Sequence, residues 1–122
     1  MKQSACDESL PSDLVPLCSV ENLKDDDVER VEVTGYAPIA VFRLNGEYYA
    51  IDDTCTHGNA SLADGLVEDG EIECPFHGGR FEIRTGKATA HPCTKPITVY
   101  PIVIDQGRVC ARLAPLPNIR GD

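Results

Sequence analysis

Cys55-Thr56-His57-Gly58 and Cys74-Pro75-Phe76-His77-Gly78-Gly79 are the stretches that decide how this chain is read, with sixteen residues between His57 and Cys74. Together they spell C-x-H followed by C-x-x-H. Each half joins a soft thiolate to an imidazole, a mixture that suits zinc or iron. A structural zinc site more often pairs like with like, as C-x-x-C and H-x-x-x-H. A single C-x-H is weak evidence for a metal. Two halves, each with glycine directly after the histidine, make a specific signal.

The segments around these stretches bring the halves together. Asp69-Gly70 lies between Leu66-Val67 and Glu71–Cys74, and a pair of that type favours the left-handed backbone of a tight hairpin. The chain therefore leaves the loop of Cys55 and His57, turns, and delivers Cys74 and His77 beside it. Similar signals recur at Asn45-Gly46, between Ile39–Leu44 and Glu47–Ile51, and at Gln106-Gly107, between Ile97–Ile104 and Arg108–Leu113. Thr85-Gly86 turns the chain after Arg80–Arg84. Short apolar runs alternating with turns are the pattern of an all-β sandwich or barrel. No long 3.6-residue period is present, so helix is limited to one short turn over Val20–Lys24.

The bulk properties narrow the setting. At 122 residues, 42% hydrophobic and 25% charged, the chain is the size and composition of one globular domain. Met1–Val20 carries one lysine, no apolar run and acids at Asp7, Glu8 and Asp13, unlike a secretory signal. No apolar stretch approaches the roughly 20 residues of a membrane-spanning helix. The expectation is a soluble, cytoplasmic protein. Eleven basic against twenty acidic residues give a net charge of −9, which disfavours nucleic acid and anionic membranes and suits a protein partner with a basic patch. Six cysteines in a chain without a secretory signal point to metal binding before disulfides. Of those outside the motif (Cys6, Cys18, Cys93 and Cys110), Cys18 and Cys110 fall in expected strands as small buried hydrophobes.

From Leu14 to Leu113 the chain resembles the Rieske ferredoxins that serve bacterial aromatic ring-hydroxylating dioxygenases, such as the biphenyl, naphthalene and carbazole systems. The most specific matching segments are Cys55-Thr56-His57-Gly58-Asn59-Ala60-Ser61-Leu62, Glu73-Cys74-Pro75-Phe76-His77-Gly78-Gly79-Arg80-Phe81 and Arg84-Thr85-Gly86-Lys87. The resemblance implies a Rieske-type antiparallel β-sandwich over residues 14–113, with a small cluster-binding subdomain at about 53–86 inserted between strands. An extension, 1–13, and a tail, 114–122, flank it. It implies one [2Fe–2S] cluster, with Cys55 and Cys74 on one iron and His57 and His77 on the other. Two ferric ions, two sulfides, two thiolates and two neutral imidazoles sum to zero charge, whereas an all-cysteine cluster is a dianion. An electron is added more easily to the neutral cluster, at roughly −150 to +300 mV against about −400 mV for plant-type ferredoxins. The added electron is expected on the imidazole-bound iron, whose histidine edges usually face solvent in this family.

Respiratory Rieske proteins clamp the two loops with a disulfide, but the corresponding positions here are Ala60 and Phe76. Those proteins also place a serine and a tyrosine after the second histidine, where this chain has Gly79 and Phe81. Hydroxyls bonded to sulfur stabilise the reduced cluster, so their absence places the expected potential near the low end of the range. The partners implied are an NAD(P)H-dependent flavoprotein reductase and a terminal oxygenase, served by a monomeric carrier that is not itself an enzyme. A terminal oxygenase would need a further iron site of two histidines and a carboxylate. Only His91 remains for it, and about 45 residues follow the motif. On ligand types alone, a zinc-stabilised binding module is the alternative, and a small redox subunit or sensor of another oxidoreductase is a third.

The remaining features are weaker. Gly58, Gly78 and Gly79 are expected to let backbone N–H groups approach the sulfides, and Pro75 and Phe76 to shield them. Cys93, by resemblance, lies in a loop that leans over the cluster, and His91 is a surface residue. Asp52, Asp53, Asp64, Glu68, Asp69, Glu71 and Glu73 form an acidic run without lysine or arginine that could steer this end of the molecule toward a basic partner.

Overall fold

The structure, a computed structural model, describes residues 14–56, 60–76 and 78–113. The two-residue turns form as their residue types demand. Asn45 and Gly46 adopt φ of 50° and 80°, Asp69 and Gly70 54° and 77°, and Gln106 and Gly107 52° and 78°. Left-handed pairs of this kind match the twist of the strands they join. The elements in chain order are β1 (Leu14–Ser19), a 3-10 turn (Val20–Asn22), β2 (Val28–Val31), β3 (Ile39–Leu44), β4 (Glu47–Asp52) and a second 3-10 turn (Leu62–Asp64). There follow β5 (Leu66–Glu68), β6 (Glu71–Glu73), β7 (Arg80–Glu82), β8 (Ala88–Ala90), β9 (Val99–Tyr100), β10 (Ile102–Asp105) and β11 (Arg108–Arg112). The short helical turn expected near Val20 is present. No helix among the described residues is long and apolar enough to cross a membrane.

Three antiparallel sheets result, ordered β1-β11-β10, β2-β3-β4-β9 and β5-β6-β7-β8. Strand β3 explains how they stack, because alternate side chains of a strand point to opposite faces. Ile39 and Val41 pack with Val109, Ala111 and Leu113 of the first sheet's side. Ala40, Phe42 and Leu44 pack with Ile72 and Phe81 of the third and with Ile83, just after β7. The middle sheet is therefore buried on both faces, which is why Ile39–Phe42 reads as an unbroken apolar run. The third sheet lies, in sequence, between β4 and β9, as an insertion into the sandwich requires.

Two expectations are corrected. Ile97–Ile104 is not one strand: Pro101 divides it into β9, paired with β4, and β10, paired with β11. Proline has no N–H to give a ladder, and here only its carbonyl is used, accepting from Arg112 N–H at 3.0 Å. Cys110 is fully buried as expected, but Cys18 is only half-buried, at a register shift of β1 between Pro16 and Cys18.

Candidate metal centre

Strand β4 runs directly into the first cysteine loop, and a buried carboxylate fixes the exit. Asp53, 1% exposed, accepts from the Ser61 hydroxyl at 2.6 Å and from Ala63 N–H at 2.9 Å. Its carbonyl accepts from Leu62 N–H at 2.7 Å, and Arg30 Nε lies 3.6 Å from Oδ2. Thr54 then pairs with Ser61 across an antiparallel bridge, and Cys55 N–H donates to the Ala60 carbonyl at 3.0 Å. The second cysteine loop repeats this plan. Glu73 pairs with Arg80 across β6 and β7, and Cys74 N–H donates to the Gly79 carbonyl at 2.7 Å. Each loop thus spans six residues, 55–60 and 74–79, with its cysteine first and its ends pinned by the same hydrogen bond.

The thiols this produces are buried. Cys55 and Cys74 are each 3% exposed. A third loop, after β8, adds Cys93, whose Sγ lies 3.6 Å from Cys55 Sγ. That separation is too long for a disulfide of about 2.05 Å. Burial pushes the Cys93 thiol up to about 12, aided by its hydrogen bond to Cys55 and by the charges of Cys55 and Cys74. Thr56 Oγ1 donates to the Lys95 carbonyl at 3.0 Å, which ties the first loop to the third. Gly79 faces Cys93 so closely that a Cβ there would come 2.3 Å from its Sγ.

His57, Gly58 and His77 lie outside the described residues, as do Cys6, the N-terminal extension 1–13 and the tail 114–122. Among the described residues no group of three or more His, Cys, Asp or Glu side chains is arranged to hold a metal. The two thiols nevertheless fit an iron–sulfur cluster: soft donors, sheltered from water, at matched positions of two pinned loops. His91 is exposed, as expected. Gly78 N–H is directed to the Cys74 carbonyl at 3.2 Å, and at φ 79° the glycine serves the turn itself. Phe76 stands 64% exposed, so it does not form a packed plug.

The acidic run is less bare than its sequence suggests. Tyr100 donates to Asp52, and Asp53 is buried. Arg80, immediately after the second loop, reaches Glu71 at 2.9 Å, Glu68 at 3.3 Å and Glu73 at 3.5 Å across β5, β6 and β7. Sequence reading also missed Asp53 as an anchor, because Asp52-Asp53 looks like a solvated pair. The contact of Cys93 with Cys55 joins positions 38 residues apart, for which chain spacing carries no signal.

Antiparallel sheets presenting two hairpin loops, each led by a buried cysteine, define a small metal-carrying β domain. The Rieske [2Fe–2S] domain family matches residues 13–101, and the chain belongs to that family. Its cofactor is accordingly one Rieske-type [2Fe–2S] cluster. The chain is similar to the ferredoxin subunit of anthranilate 1,2-dioxygenase from Burkholderia cepacia, with 46% identity over 94 residues, 77% of this chain and 86% of that protein. The structure of the Sphingomonas yanoikuyae B1 ferredoxin superposes with a TM-score of 0.79 at 44% identity, covering 82% of this chain and 98% of that one. The ferredoxin in the complex of reduced oxygenase and oxidised ferredoxin of carbazole 1,9a-dioxygenase gives a TM-score of 0.79 at 38% identity, covering 84% and 94%. All three are ferredoxins, two of them from dioxygenase systems, and ferredoxins are carriers of electrons rather than catalytic subunits.

Proposed function

We propose that this protein is the electron carrier of an aromatic ring-hydroxylating dioxygenase system. It accepts single electrons from an NAD(P)H-dependent flavoprotein reductase and delivers them to the terminal oxygenase, in the cytoplasm and as a monomer. The observation that carries this reading is the pair of buried cysteines, Cys55 and Cys74, at equivalent positions of two loops closed by the same hydrogen bond. Cys55 and Cys74 hold one iron, and His57 and His77 hold the other. The cluster, when bound, supplies reversible one-electron chemistry at a potential near the low end of the Rieske range.

What the chain's own residues contribute is shelter and rigidity. The carboxylate of Asp53 ties the first loop to the middle sheet, and the Cys74–Gly79 bond closes the second loop on the β6–β7 hairpin. Ligands on pinned backbone change position little between oxidation states, which favours fast transfer. The anthranilate and carbazole dioxygenase relatives favour the dioxygenase role over that of a subunit or sensor in another oxidoreductase.

The test is reconstitution with NADH, a flavoprotein ferredoxin reductase and a ring-hydroxylating oxygenase. Product formation that requires this protein, and is lost in Cys55→Ala, supports the reading. Electron uptake from no flavoprotein reductase would sink it. With a net charge of −9, transfer should also slow as salt rises, because screening weakens steering toward a basic partner. Equal rates at low and high ionic strength would remove that part.

A further inference from the structure

We propose that Cys93, which lies outside the ligand motif, donates a hydrogen bond to the ligand sulfur of Cys55 and thereby raises the reduction potential of the centre. The inference rests on Cys55 being a ligand. A ligating Cys55 is a thiolate and brings no hydrogen to the contact. The hydrogen lying between the two sulfurs, 3.6 Å apart, is therefore that of Cys93. Cys93 is 4% exposed, so bulk water does not compete for its S–H.

Its place is fixed from two sides. Cys93 N–H donates to the Ala90 carbonyl at 3.1 Å. Opposite, only a glycine at 79 leaves room, because a Cβ there would lie 2.3 Å from Cys93 Sγ and 3.0 Å from its backbone nitrogen. A donor to a ligand sulfur stabilises the reduced, more negative state more than the oxidised one. The site from which a hydroxyl at position 79 would act is thus not empty of donors. It holds a thiol, a weaker one.

The test compares Cys93→Ala and Cys93→Ser with the wild-type holoprotein by EPR-monitored redox titration, alongside iron content. An S–H donor belongs at the lower end of the net hydrogen-bond range. At fixed ambient potential the reduced-to-oxidised ratio should fall about threefold in Cys93→Ala, which is about 28 mV at 59 mV per tenfold for a one-electron couple. Cys93→Ser, which keeps a donor, should lie above the alanine variant. EPR reports only loaded molecules, so incomplete loading does not obscure the potential. An unchanged potential in Cys93→Ala, or an equal fall in alanine and serine, would overturn the proposal. A Cys55→Ala variant that keeps the full signal would instead overturn the ligand assignment beneath it.

Discussion

Replacing Gly79 by alanine should destabilise the protein through a single identifiable clash. The added Cβ would meet Cys93 Sγ at 2.3 Å, Cys93 N at 3.0 Å and Cys93 Cβ at 3.1 Å. Ordinary contacts of this kind are 3.4–4 Å, so the sulfur contact is short by more than 1 Å. Neither side yields easily: Gly79 accepts from Cys74 N–H at 2.7 Å, and Cys93 N–H is bonded to Ala90 at 3.1 Å. Overpacking of a well-filled interior costs about 1–3 kcal/mol, and a clash against pinned backbone belongs at the upper end. At roughly 4–8 °C per kcal/mol for a domain near 100 residues, about 3 kcal/mol lowers the melting temperature by about 12–24 °C. Removing the sulfur as well, in Gly79→Ala/Cys93→Ala, relieves the worst contact but not the two backbone-side ones. The double variant should therefore recover about half the loss, and the two substitutions should couple by at least about 1 kcal/mol. The assay is denaturation of the holoprotein under argon, followed by circular dichroism and visible absorption. A Gly79→Ala variant within about 0.5 kcal/mol of wild type, or the same loss with and without the Cys93 sulfur, would show that this contact does not select glycine at position 79.

Asp53→Ala should cost about 2–4 kcal/mol, because it leaves the Ser61 hydroxyl and Ala63 N–H without their buried acceptor. It should also release iron faster, measured by transfer to a chelator, and Asp53→Asn should be milder since one amide oxygen remains. An Asp53→Ala protein with wild-type stability and iron release would contradict the anchoring role. Stability should fall at alkaline pH. Burial, then Glu29 and Cys110, push the Cys18 thiol from 9.0 to about 11; burial and Asp52 raise the Tyr100 phenol. Both groups release protons more readily when unfolded, so their contribution is present below pH 9 and lost as pH rises to about 11. Denaturant midpoints against pH check this, and a flat profile from pH 8 to 11 would contradict it.

Much of this architecture was legible because its signals are local. Asn45-Gly46, Asp69-Gly70 and Gln106-Gly107 each sit between strands, and the positive φ values follow from their residue types. The cysteines Cys55 and Cys74 were legible for the same reason, as parts of short, spaced motifs. Pro101 inside Ile97–Ile104 is a breaker of the same local kind, lacking the N–H that a continuous strand would give its ladder. Other features depend on contacts between distant segments. Burial of the middle sheet on both faces is decided by which sheets stack on it. Asp53 differs from its neighbour Asp52 only in the face it occupies, and Arg80 on β7 gathers acids from β5 and β6, strands that are brought together by register. In sequence Gly79 stands for a missing hydroxyl and a close backbone approach to the sulfides, and the structure adds a steric reason for it, the sulfur of Cys93.

Whether Cys55, His57, Cys74 and His77 hold one redox-active [2Fe–2S] cluster is decided by low-temperature EPR of the anaerobically purified, dithionite-reduced protein, titrated against potential with metal analysis of the same sample. A rhombic Rieske-type signal is expected, with about two irons per chain and a midpoint near the low end of the roughly −150 to +300 mV range. A colourless, EPR-silent protein holding stoichiometric zinc would contradict that assignment.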